Sequence, residues 1–392
     1  MLYLRFQGVY KEGEYDYPRF QFFSMRFFIK TYGCQINFVD SEKMAEYLMK
    51  KNFQLVKNHL QADFVIVNLC SVRQNATNKA WHWIENTKNN QKKLKIILIG
   101  CILENDQNKF KKYADLIIAS KTAIRNAKFE PSIIWQKIKK EKMIKNKIIK
   151  NKCGPLSPKK NKNAAYLPVM TGCNNFCAYC VVPYTRGTEK SLPAKKIIQE
   201  FKKLIKIGCQ EIILLGQNVN SYQSSDKLSI DFSQLLKTLN SLPGNFQISF
   251  LTNHPKDMTD ELIETIAQSE KVKKYIHLPI QSGSNKILKK MNRHYTREDY
   301  FKLIKKIKEK IPACEISTDV IVGFPGETKK NFQATANIIK KYNFKQIYIG
   351  KYSPRPGTSA FKLKDNVSLA EKKRREEFLR EILKKKKTTL AS

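Results

Sequence analysis

Nine short apolar runs with strand character alternate along this chain with segments of helical spacing, and that alternation limits the fold more than any other feature. Apolar runs bounded by polar or glycine-containing turns and separated by helices predict parallel sheets, because parallel neighbours need a crossover between them. Three runs, Phe27–Lys30, Phe64–Val67 and Ile96–Ile99, fall in a first block with helical patterns such as Asp40–Lys51 between them. Six more fall in a second block: Tyr166–Met170, Glu211–Leu215, Gln247–Leu251, Tyr275–Leu278, Ile316–Val322 and Ile347–Tyr352. Six β/α units are two short of a closed eight-unit barrel and predict an open one. The chain is therefore read as α/β, with a parallel sheet domain followed by an open (β/α)6 barrel.

Boundaries follow from composition. Between Lys137 and Lys162 there are eleven lysines and one acid, punctuated by Gly154, Pro155 and Pro158, which is a linker composition. The expected organisation is an extension over 1–24, a first domain over 25–136, a lysine-rich linker over 137–163, a second domain over 164–362 and a charged helix over 363–392. The extension is aromatic and lacks a signal-peptide layout, and Met25, at the head of the first strand, is the expected start.

With 42% hydrophobic residues the chain is not disordered, and no run reaches the ~18 apolar residues of a membrane span. The formal net charge is +39, which points to a polyanionic partner such as nucleic acid. Sixty-one of the 73 basic residues are lysine, a bias that AT-rich coding also produces, so the charge is a loose indicator.

The nine cysteines are too dispersed for a disulfide scaffold. Three of them, Cys34, Cys70 and Cys101, each follow one strand-like run of the first block. In a parallel sheet all three emerge at the carboxyl edge, where open α/β sheets place ligands. Three more lie together as Cys173-x3-Cys177-x2-Cys180 after the first strand of the second block. Structural zinc takes four ligands, commonly from two Cys-x2-Cys pairs. Three clustered thiols instead suit a cubane iron–sulfur cluster with one iron left open, with zinc or redox thiols as the alternatives.

The Cys-x3-Cys-x2-Cys spacing resembles the radical S-adenosylmethionine (SAM) superfamily. The flanking segments KTYGCQINFVDSE (30–42), VNLCSVRQNA (67–76), MTGCNNFCAYCVVPYTRGTEKS (170–191), LLGQNVNSY (214–222), HLPIQSGSNKILKKMNR (277–293), DVIVGFPGET (319–328) and YSPRPGT (352–358) resemble the methylthiotransferase family of that superfamily. Gln35 in Gly-Cys-Gln-x-Asn and the CVVPYTRG segment (180–187) resemble the branch acting on N6-dimethylallyladenosine in tRNA. The resemblance implies a Rossmann-like domain followed by a radical SAM barrel. It also implies an auxiliary [4Fe–4S] cluster on Cys34, Cys70 and Cys101 and a radical-SAM [4Fe–4S] cluster on Cys173, Cys177 and Cys180. Two SAM molecules are implied, one giving a methyl group to sulfur and one a 5′-deoxyadenosyl radical. The implied product is the 2-methylthio derivative of N6-isopentenyladenosine at tRNA position 37.

Tyr179, Gln217, Asn218, Gly323 and Glu327 are the candidate SAM contacts. Arg186, Lys190, Arg293 and Arg355 are candidates for phosphate or SAM-carboxylate contacts, and Arg374, Arg375 and Lys384–Lys387 for an RNA-facing role. Cys153, Cys209 and Cys314 match no ligand pattern and are read as linker or core. His254 and His277 are not assigned as bases. The family's small C-terminal β-barrel RNA-binding module is not in the sequence, so truncation before it is expected. A cytoplasmic monomer is implied, with tRNA and an electron donor such as flavodoxin or ferredoxin as partners and no membrane. The alternatives are a methylthiotransferase acting on threonylcarbamoyl-adenosine tRNA or on a ribosomal protein, and a catalytically impaired iron–sulfur RNA-binding remnant.

Overall fold

The structure, a computed structural model, describes residues 25–72, 74–125, 128–141 and 164–389. The extension over 1–24 and most of the lysine-rich linker, with Cys153, lie outside the described residues.

The first domain is a five-stranded parallel sheet of β1 (Arg26–Tyr32), β2 (Gln54–Leu55), β3 (Phe64–Cys70), β4 (Lys95–Cys101) and β5 (Leu116–Ala119), in the order β2-β1-β3-β4-β5. Two of these strands exceed the sequence expectation. The first, Gln54–Leu55, is too short to show a period, and the second, Leu116–Ala119, is a four-residue run after a lysine-rich turn. Alternate residues of β3 serve opposite faces: Phe64 and Ile66 join one core with Phe27, Met44 and Leu48, while Val65, Val67 and Leu69 join another with Ala80 and Ile84. The sheet is thus covered on both faces, by helix α1 (Gln35–Met49) on the first and α2 (Gln74–Asn90) on the second. The helix Pro131–Lys140 extends into residues read as linker because Ile133, Ile134, Trp135 and Ile138 give it a buried face.

All six expected strands of the second domain are present, as β6 (Ala164–Pro168), β7 (Glu211–Leu215), β8 (Gln247–Phe250), β9 (Tyr275–His277), β10 (Glu315–Val322) and β11 (Gln346–Lys351). They form two parallel three-stranded sheets, joined where the Ile248 N–H donates to the Lys271 carbonyl at 2.7 Å and the Lys273 N–H to the Ile248 carbonyl at 2.9 Å. Among the described residues no pairing joins β6 to β11, so the barrel is open. Ile36 and Val39 of α1 pack on Leu215 of β7, which seats the first domain against the barrel.

The C-terminal helix Leu369–Thr389 is not simply solvated. Leu379 is fully buried, and Phe378, Ile382 and Leu383 pack on the barrel core. No helix among the described residues is long and apolar enough to cross a membrane.

Candidate active site

The strand order 2-1-3-4-5 has its topological switch point between β1 and β3, where open parallel sheets bind ligands beyond the strand ends. Cys34 follows β1, Cys70 ends β3, and Cys101 ends β4 as the ladder partner of Cys70. The loop carrying Cys34 is shaped by a buried polar network. The Cys34 N–H donates to Asn37 Oδ1 at 3.3 Å, Asn37 Nδ2 donates to Asn68 Oδ1 at 2.9 Å, and Asn68 Nδ2 donates to the Asn37 carbonyl at 2.8 Å and to Ser41 Oγ at 3.0 Å. An asparagine inside an apolar strand is costly unless paired, and here its partners fix where α1 begins.

The Cys70 thiol interacts with both of its neighbours. That sharing holds the Cys70 proton, pulls Cys34 down to about 5 and pulls Cys101 down to about 7, with the positive charge of Arg186 adding to both depressions. The second triad differs. Burial pushes Cys173 up to about 11 and Cys180 up to about 12. Cys34 and Cys180 are both half-buried, yet only Cys34 is a thiolate at neutral pH. In the metal-free chain, iodoacetamide at pH 7 is therefore expected to label Cys34 ahead of Cys180, as read by peptide mass mapping. The advantage should fade as pH falls through about 5, where Cys34 regains its proton.

The second triad sits in the loop after β6. Phe176, between Cys173 and Cys177, has φ +44°, a strained conformation for a bulky residue that persists only where its surroundings impose it. Asn292 imposes it by donating to the carbonyls of Asn175 at 3.3 Å and Phe176 at 3.0 Å, and the Ala178 N–H donates to the Met291 carbonyl at 2.9 Å. At Gly172 (φ +78°) a Cβ would lie 2.1 Å from the Thr188 carbonyl, so only glycine fits before Cys173.

The candidate SAM contacts separate into two groups. Gln217 Oε1 accepts from the Gly172 N–H at 2.6 Å and so holds the cysteine loop to the end of β7. Asn218 donates to Ser221 Oγ at 2.9 Å and to Asp257 at 2.7 Å, leaving its own Oδ1 without a partner among the described residues. Tyr179 packs beside Phe324 and Tyr352. Gly323 and Glu327, by contrast, serve the C-terminal helix. A Cβ on Gly323 would lie 2.3 Å from Lys372 Cγ, and Glu327 Oε2 accepts from the Gly323 N–H and from Arg375, each at 2.6 Å.

The arginines read as candidate phosphate contacts are buried, which sequence alone did not reveal. Arg293 donates to Cys177 Sγ at 3.3 Å, to Tyr295 at 2.8 Å and to the Pro279 carbonyl at 2.9 Å. Arg186 donates to Cys101 Sγ and to Asp40, each at 3.0 Å. Arg355 donates to Gln74 Oε1 at 2.7 Å, beside the Cys70 loop. Lys190 is exposed. Arg375, read as RNA-facing, pairs with Glu327 and Glu371 and is buried, whereas Arg374 is exposed and pairs with Glu371. His277 bonds Ser317 at 2.8 Å and Asp319 at 3.3 Å, and burial pushes His254 down to about 2, so His254 stays neutral. Cys209 and Cys314 lie in the barrel core.

Two observations bear on what the site holds. Thr171 Oγ1, Asn218 Oδ1, Asn253 Oδ1, His254 Nε2, Gln281 Oε1 and Glu327 Oε1 are buried without a hydrogen-bond partner among the described residues, and all lie on segments that follow barrel strands. Buried polar atoms are normally paired, so six orphans on one edge fit a polar ligand rich in donors and acceptors. Among the described residues no group of three His, Cys, Asp or Glu side chains suits a single metal ion. A cubane spreads its thiolate ligands over several irons, so it asks less convergence of three side chains than a single ion does.

A model of the radical SAM superfamily matches residues 167–339, and one of the Uncharacterized protein family UPF0004 matches residues 26–120. The chain is 39% identical over 367 residues to the tRNA-2-methylthio-N(6)-dimethylallyladenosine synthase of Thermotoga petrophila, covering 92% of this chain and 82% of that protein. It is 41% identical over 370 residues to the enzyme of the same name from Clostridium botulinum strain Hall, covering 91% and 81%. The chain belongs to the tRNA-2-methylthio-N(6)-dimethylallyladenosine synthase family. Solved structures place the synthase-family fold among radical SAM enzymes. The methyltransferase TsrM from Kitasatospora setae matches with TM-score 0.56 at 12% identity, covering 86% of this chain and 77% of that one. The cobalamin-dependent enzyme OxsB matches with TM-score 0.54 at 12% identity, covering 93% of this chain, which spans 56% of the length of OxsB.

Proposed function

We propose that this chain is a radical SAM methylthiotransferase that converts N6-isopentenyladenosine at tRNA position 37 to its 2-methylthio derivative. The observation that carries the reading is the meeting of two cysteine triads, one at each domain's ligand-binding edge, through Arg186, six residues past Cys180, on Cys101 Sγ at 3.0 Å. Cys173, Cys177 and Cys180 would hold one [4Fe–4S] cluster, the one that activates SAM, and Cys34, Cys70 and Cys101 would hold the other. When bound, the two clusters and SAM supply a radical able to remove an aromatic C2 hydrogen, which is not acidic enough for a base, and the sulfur that replaces it.

The chain's own residues align and shield these groups. Gln217 and Asn292 fix the loop of the second triad, and Asn37 and Asn68 fix that of the first. Arg186 and Arg355 reach from the loops after β6 and β11, the two ends of the open barrel, to the first domain, so the mouth between the triads is held at both sides. Such alignment is where a protein contributes most to a cofactor-driven reaction. Asn218, Asn253, His254 and Gln281 contribute the unpaired polar atoms that orient SAM.

A net charge of +39 supports tRNA as the partner. An anticodon loop offers bases already unstacked, which lowers the cost of presenting one. The reading includes a cytoplasmic monomer served by a flavodoxin- or ferredoxin-type electron donor. The test is incubation of the reconstituted protein with SAM, reductant and two tRNAs, one isopentenylated and one threonylcarbamoylated at adenosine 37. Nucleoside mass spectrometry is expected to find the methylthio group on the isopentenylated substrate; product on the other alone, or on neither, refutes the assignment.

A further inference from the structure

Arg186 is buried at an unusual junction. Its side chain is 4% exposed and that of Asp40 is 5% exposed. It leaves the barrel at the end of the turn Val182–Thr185, crosses to the first domain, and places Nε–H on Cys101 Sγ at 3.0 Å and an Nη2–H on Asp40 Oδ2 at 3.0 Å. A planar guanidinium held at two edges has one orientation, which the point charge of a lysine would not reproduce. Burying this charge is expensive without partners, so the pair and the sulfur must hold it together. Arg186 also closes its own turn through its backbone N–H on the Val182 carbonyl at 2.8 Å. Both side-chain contacts, with Cys101 Sγ and Asp40 Oδ2, lie in the other domain.

A hydrogen bond and a positive charge at a ligand sulfur draw electron density off a cluster and favour its reduced form. Asp40 opposes that charge while fixing its direction. We propose that Arg186, aimed by Asp40, is a positioning residue that sets the reduction potential of the cluster held by Cys34, Cys70 and Cys101. The inference rests on the assignment of that triad to a cluster under the proposed function. Arg186 raises the potential, and Asp40 moderates the rise. The same contact ties the loop after Cys180 to Cys101, so the setting of the auxiliary centre depends on the two domains being docked.

The test isolates one cluster. Full-length protein carrying Cys173→Ala, Cys177→Ala and Cys180→Ala is reconstituted with iron and sulfide, its iron is counted, and its potential is read by titration with electron paramagnetic resonance detection. Adding Arg186→Gln is expected to move the potential down, because the donor and the charge are lost. Adding Asp40→Asn is expected to move it up, because Arg186 then acts unopposed. Damage to packing would move both variants the same way, so opposite signs are the signature. Unchanged potentials, or shifts of one sign, overturn the inference. If Arg186→Gln takes up no iron, Asp40→Asn decides: a rise supports the inference, and a fall or no change overturns it. A parent protein without iron overturns the triad assignment itself and this inference with it, whereas a parent that loads normally confines any failure to Arg186.

Discussion

Replacing Cys177 with alanine is expected to abolish release of 5′-deoxyadenosine from SAM while the chain remains folded. Three thiols hold the cluster that the second triad is proposed to bind, and two do not replace them. The loop does not depend on that sulfur for its shape. Asn292 still pins the carbonyls of Asn175 and Phe176, and Gln217 still accepts from the Gly172 N–H. Arg293 loses its contact with Cys177 Sγ but keeps Tyr295 and the Pro279 carbonyl. Chromatography of a reaction with dithionite reads the outcome, and circular dichroism verifies the fold. Deoxyadenosine from the folded variant at the parent rate would show that Cys177 is not a ligand.

Cys70→Ala is expected to separate the two halves of the reaction. Cys70 ends β3 in register with Cys101 and interacts with both other cysteines of its triad, so its loss removes the centre of that group. The barrel triad lies in another domain and keeps all of its contacts. Deoxyadenosine release should persist, the methylthio nucleoside should disappear, and iron should fall from about eight to about four per chain. Retained methylthiolation refutes the auxiliary assignment. Loss of both activities would mean that the triads do not act as separate centres.

Much of the fold was legible in the sequence because its main sheets are parallel and the central strands of the first are buried on both sides. β3 is buried along its whole length, and a continuous apolar run such as FVIVNLC needs no alternation to be recognised. Gln54–Leu55 lacked any period to detect, and Leu116–Ala119 is confirmed as a strand by its pairing with β4 rather than by its own pattern. The convergence of Cys34, Cys70 and Cys101 was legible because strand direction alone puts them on one edge. Arg186, Arg293 and Arg355 were not, because local sequence makes any arginine look like surface. Their burial depends on partners 146, 116 and 281 residues away, in Asp40, Cys177 and Gln74. The helix Leu369–Thr389 was expected, but its buried face was hidden for a similar reason. Its charged residues dominate its composition, yet Phe378, Leu379, Ile382 and Leu383 form the stripe that packs on the barrel. That packing also explains Gly323 and Glu327, whose glycine turn and carboxylate meet Lys372 and Arg375 of this helix.

Central to this description is one chain with two triads that each hold a separate cluster. Iron and acid-labile sulfide, counted after reconstitution, test it in three proteins: the parent chain, the variant with Cys34, Cys70 and Cys101 all changed to alanine, and the variant with Cys173, Cys177 and Cys180 all changed to alanine. The expected counts are about eight irons in the parent and about four in each variant. A parent holding only about four, with one variant retaining all of it and the other none, would contradict two centres and leave a single-cluster protein.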